Sequence, residues 1–114
     1  MGAMSERYSG LVHRLRDAVL GTSGVTEASL RAAVEARAAG LGGRPGVEPG
    51  VPAVLSTLVD KVAQQPFRVT DGDVQALRQA GYSEDAIFEI TASAALGAGL
   101  GRLERGLAAL KGAV

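Results

Sequence analysis

Few side chains in this sequence could do chemistry. His13 is its single histidine. It lies beside an apolar stripe and close to Arg14 and Arg16, where a lone imidazole reads as a surface or boundary group rather than a general base. His13 and Arg102 are the two catalytic candidates, and only if they converge on a closed apolar pocket. Asp71, Asp73, Glu84, Asp85 and Glu89 have the composition of a Mg²⁺ or Ca²⁺ site. The first four fall at helix starts, where caps and the helix dipole account for them, so no metal is expected. "GAGLG" lacks the G-x-G-x-x-G spacing, follows no strand and has no acidic residue at the required distance, so it is a packing segment rather than a dinucleotide loop. Arg102 and Arg105 could bind an anion, although such arginines are more often solvated or paired with Glu104 and residues of another subunit. There is no cysteine, which excludes disulfides, thiolate metal sites and dithiol redox cycles. No cofactor is expected.

The elements that must position these groups are helices. Tyr8, Leu11, Val12, Leu15 and Val19 recur every three or four residues, the spacing of one helix face, and Gly21 ends the run. A second helix with a small, alanine-rich face starts at Thr26 or Ser23 as N-cap and finishes at Gly40. In "GLGGRPGVEPG" glycine and proline are too dense for helix or strand, so 41–50 is a loop. A third helix puts Val51, Val54, Leu55, Leu58 and Val62 on one stripe and stops before Pro66. Thr70 caps a short fourth helix with Asp73 in capping-box register, Val74 and Leu77 face inward, and Gly81 takes the left-handed position after its end. Ser83 caps a fifth helix whose buried face runs through Ile87, Ile90, Thr91 and Ala94. Gly97, Gly99 and Gly101 then call for a break or a tight crossing, each glycine costing roughly 1 kcal/mol relative to alanine in a helix interior. A last helix carries Leu100, Leu103, Leu107 and Leu110. No segment alternates long enough to be a strand, so the chain is all-α.

Size and charge set the class. With 114 residues, 46% of them hydrophobic, the chain suffices for one domain. Within 1–114, residues 1–3 read as a cloning remnant ahead of Met4, 4–40 as a helical pair, 41–50 as the loop and 51–111 as a C-terminal core. The formal net charge is zero, which supplies no field for nucleic acid or an anionic membrane. No apolar run approaches the roughly 18 residues of a membrane span. Neither nucleic acid nor membrane is expected as a partner. The N-terminus shows no signal-peptide core, so a cytoplasmic location is expected.

The stretch "ALRQAGYSEDAIFEITASAALGAGLGRLERGLAAL" resembles the C-terminal half of the carboxymuconolactone decarboxylase and alkylhydroperoxidase D-like family, over roughly Val51 to Leu110. The resemblance implies a bundle of about six helices and a homo-oligomer. It also implies a C-x-x-C-x-x-x-H motif upstream of Gly81, whose three reactive positions fall here on Pro66, Val69 and Asp73. None of these can form or resolve a sulfenic acid, so thiol peroxidase activity is not expected. The proton-relay glutamate that the resemblance implies would fall near Val54.

Two functions are compatible with these residues. The first is a non-redox oligomeric helical protein that binds a protein partner or a small-molecule ligand. The second, implied by the decarboxylase branch, is an enzyme acting on a small organic acid or lactone without cysteine chemistry. Subunit contacts are expected through Gly97, Gly101, Leu103, Leu107 and Leu110, where small residues allow close approach and leucines supply buried area.

Overall fold

The computed structural model describes residues 2–46 and 50–112, with side chains from residue 8 onward. Among the described residues every regular element is helical. The first helix, α1 (Gly2–Arg16), passes into a π-turn at Asp17–Gly21. Then follow α2 (Ala28–Gly42), α3 (Ala53–Gln64), a 3₁₀ turn (Pro66–Arg68), α4 (Asp71–Gln79) and α5 (Glu84–Leu110). Gly2 and Ala3 are thus part of a helix, while Met1 and residues 47–49 of the expected loop lie outside the described residues.

The closest pair is α2 and α5, which run side by side in the same direction. Glu35 lies against Gly97, Ala39 against Gly101 and Gly43 against Arg105, a constant offset along both helices. Glycine makes this approach possible. A Cβ on Gly97 would sit 2.1 Å from the Glu35 carbonyl oxygen, and one on Gly101 would sit 2.3 Å from that of Ala39. The crossing expected at these glycines is therefore present, whereas the break is not. α5 continues for 27 residues without interruption, so the expected last helix is the second half of α5, and among the described residues there are five α-helices rather than about six. Packing against α2 offsets the low helix propensity of glycine.

α3 lies across both members of this pair, and α4 covers α3. Val34 and Ala38 from α2, Leu55 and Val59 from α3, and Ile90 and Ala94 from α5 are all fully enclosed. Leu58, Ala63, Leu77, Ile87 and Ala98 complete the core cluster. The core thus draws on residues from both sides of the glycine-proline loop. Val51 and Val62 are half-buried against it, but Val54 faces solvent, because the helix begins at Ala53 and its inner face is Leu55, Leu58, Val59 and Ala63.

Helix ends follow local chemistry with one exception. The Thr70 hydroxyl accepts from the Asp73 N–H while the Asp73 carboxylate accepts from the Thr70 N–H, a reciprocal capping box. Gly81, with φ +102°, closes α4: its N–H bonds Arg78 and that of Tyr82 bonds Leu77, the paired pattern of a Schellman motif. The Ser83 hydroxyl accepts from the Ala86 N–H at the start of α5. The exception is α2. Neither Ser23 nor Thr26 is its cap; Glu27 occupies that position and makes no side-chain capping bond. The Thr26 hydroxyl is drawn away to Glu89 of α5. The helix also runs past Gly40 to Gly42, with Gly43 in the positive-φ position, so the expected loop begins two residues later than residue 41.

Candidate functional site

α1 packs on the rest of the described chain chiefly through the π-turn, so it stands off the body as an arm. Between α1 and the distal half of α5 opens a cleft of about 740 Å³. Leu11, Val12 and Leu15 form one wall and Leu100, Leu103 and Leu107 the other, with His13, Arg16 and Glu104 also lining it. Three of its leucines are unusually open for their type: Leu11 is 56% exposed, Leu15 49% and Leu103 42%. Leucines at such spacing on facing helices form an apolar surface that the described residues leave open.

A charge network lies beside the cleft. Glu35, on the inner side of α2, has a side chain only 1% exposed. Arg44, from just beyond α2, donates Nη1 to Glu35 Oε1 at 2.8 Å and Nη2 to Oε2 at 2.9 Å. The other edge of the same guanidinium engages Glu104 of α5, at 3.0 Å from Nε and 2.8 Å from Nη2. Arg16 of α1 adds its charge 3.4 Å from Glu35. Two carboxylates and two guanidiniums thus join four segments, and hydrogen bonding to Glu35, against a desolvation cost, raises the Arg44 pKa further above its usual range. A buried carboxylate is tolerable only with such partners.

The candidates from sequence are not gathered together. His13 lines the cleft but its side chain is 76% exposed and lies 3.3 Å from Asp17, four residues on at the start of the π-turn. Arg102 is not part of the cleft; it donates to the carbonyls of Ala98, at 3.1 Å, and Ala63, at 2.6 Å, the second of these closing the C-terminus of α3. The two do not form a shared catalytic pair. Pro66 is exposed at the start of the 3₁₀ turn, and Val69 is half-buried against the core. Asp73 accepts from Lys61 Nζ at 3.0 and 2.8 Å, and this bond, with those to Thr70, holds its carboxyl below the usual carboxylate range. The position is a salt-bridged cap with no spare reactive atom. Gly97 and Gly101, expected in a subunit contact, lie against α2 of the same chain. Leu103, half-buried Leu107 and exposed Leu110 remain on the open side of α5.

Comparison with family models, with characterised proteins and with solved structures found no match. Among the described residues no group of three or more His, Asp or Glu side chains converges as a metal site, and no helix is long and apolar enough to cross a membrane.

The groups missed in the sequence are Arg31, Glu35 and Arg44, while Glu89 stands there only as a member of the acidic cluster. Arg31 and Glu35 do leave a trace: four residues apart, they stand on the same face as Val34 and Ala38, where charge is out of place. Nothing local identifies their partners.

Proposed function

We propose that this chain is a non-redox helical protein of the alkylhydroperoxidase D-like frame that acts as a homo-oligomer and binds a protein or small-molecule partner without thiol chemistry. The observation that carries the reading is the apolar cleft between α1 and α5. A 15-residue helix is marginal in water unless something packs on its apolar face, and within the described chain α1 has little to pack on. A second copy supplies a matching set of leucines, and a two-fold arrangement would join two such helix pairs into a four-helix seam. The absence of a His13–Arg102 pair favours binding over turnover of a lactone or small acid.

Light scattering on the purified protein tests this directly. A mass that is a multiple of 11.6 kDa at tens of micromolar is expected. A monomer mass across that range would overturn the proposal.

A further inference from the structure

The arm is attached to the body through residues 17–27, a segment with no buried side chain of its own. Two charged side chains from elsewhere nevertheless reach into its backbone. Arg31 of α2, 4% exposed, donates Nη1 to the carbonyl of Val19 at 2.9 Å and Nη2 to that of Thr22. Glu89 of α5 accepts from the N–H of Val25 at 2.8 Å, from the N–H of Thr26 at 2.9 Å and from the Thr26 hydroxyl. Gly24 makes room for that carboxylate, since a Cβ there would lie 2.7 Å from Glu89 Oε2. The Thr22 hydroxyl closes the π-turn itself, donating to Ala18 at 2.8 Å.

Local stability alone does not call for these charges. A serine or threonine cap would satisfy the start of α2 without burying a guanidinium, and burial of that group costs several kcal/mol before its partners offset it. Its bonds go instead to the two carbonyls that flank the end of the π-turn, about which α1 would pivot. A cation thus holds the proximal part of the connection to α2, and an anion holds the distal part to α5. These are the two helices against which the arm is posed.

Resting on the assembly reading above, we infer that Arg31 and Glu89 are positioning residues that fix the angle of α1 to the body, so that the two walls of the cleft meet a second copy in one geometry. Without them the leucines of α1 would remain present but unaligned, and the entropy of ordering the arm would be charged to association.

The absence of cysteine allows a clean test. Spin labels on Arg14→Cys of α1 and Gln75→Cys of α4, diluted into unlabelled chain, report the arm-to-body distance by pulsed electron resonance. A single narrow distribution is expected for the parent. Arg31→Met and Glu89→Ala should each broaden it and weaken self-association by about tenfold or more, the scale of one lost charge-assisted hydrogen bond. Both should keep the parent's helical content. A monomeric parent would remove the assembly reading and this role with it. An oligomeric parent whose variants keep both the narrow distance and the association constant would overturn the clamp alone. Loss of helix and of cooperative unfolding in both variants would assign the residues to folding rather than posture, and also overturns it.

Discussion

The two sides of α5 show different uses of the same small and aliphatic residues. Toward α2 the helix presents Gly97 and Gly101, and backbone meets backbone with no solvent left between. Toward α1 it presents Leu103 and Leu107, whose neighbours stand apart across a cleft. The first face is complete within one chain, so its tolerance for added atoms is near zero; the second is incomplete, so its sensitivity should appear only in assembly. Residue type does not separate the two faces. What separates them is whether a partner helix is already in contact.

The sharpest way to break this comparison is a single methyl group. Alanine normally gains about 1 kcal/mol over glycine inside a helix. At Gly97 the new Cβ would lie 2.1 Å from a backbone oxygen, which cannot rotate away, so α2 and α5 must separate. The clash wins, and Gly97→Ala should lose about 3 kcal/mol or more in denaturant unfolding. An unchanged midpoint would mean that the helices are not in this contact.

The network that joins the two regions comes next. Glu35→Gln leaves Arg44 with one carboxylate and Arg16 with none, and breaking a buried pair typically costs about 3 kcal/mol. Because Arg16 belongs to α1 and Arg44 follows α2, the loss should also increase amide exchange at both places. Exchange that rises uniformly over the chain would indicate a general loss of stability instead.

Leu107→Arg addresses the open face. It should dissociate the proposed oligomer, measured by sedimentation, while the melting temperature of the monomer changes little, since Leu107 is only half-buried within the chain. Gln79→Glu, on an exposed position at the end of α4, is the control. Arg37 is unsuitable for that purpose, because Nε donates to Asp60 at 2.7 Å and Nη2 at 2.8 Å.

How far the sequence could be read follows the same division. The Thr70–Asp73 box, the left-handed Gly81 and the Ser83 cap all close within a few residues, and each is visible in the chain. The role of Gly97 depends on Glu35, far away in sequence, so the glycines could be read as a break or as a crossing with equal warrant. Thr26 has the chemistry of an N-cap, yet the carboxylate of Glu89 competes for its hydroxyl, and local propensity lost to a tertiary bond. The leucines of the candidate site were legible as a stripe. The cleft was not, because it depends on the angle at which α1 leaves the π-turn.

Acid should weaken two carboxylate contacts, that of Glu89 with the connection and that of Asp73 with the α4 cap and Lys61 of α3. Hydrogen bonds from Thr26 and Val25 hold the Glu89 carboxyl below the usual range, and those from Lys61 and Thr70 do the same for Asp73. A depressed folded-state pKa means stability that is present above the unfolded value and lost as pH falls through the folded one. Both contributions should therefore be intact at neutral pH and decline below about pH 4. Glu89→Gln should flatten that part of the stability profile, as measured by chemical unfolding between pH 2 and pH 6. A profile identical to the parent's would show that the carboxylate is not bonded in this way.

The smallest effect completes the contrast along α5. Gly99 lies between Gly97 and Gly101, yet a Cβ there would meet nothing within 4 Å. It is exposed while its two neighbours are buried. At this position no close approach opposes the ordinary helix preference, so Gly99→Ala should stabilise the chain by about 0.5–1 kcal/mol. In a domain of this size that amounts to a rise of roughly 2–6 °C in Tm. The signs should thus alternate over five residues, negative at 97, positive at 99 and negative at 101. A Gly99→Ala variant that destabilised as strongly as Gly97→Ala would place a neighbour on the outer face of α5 as well, and the face assigned here to solvent would have to be counted as a contact.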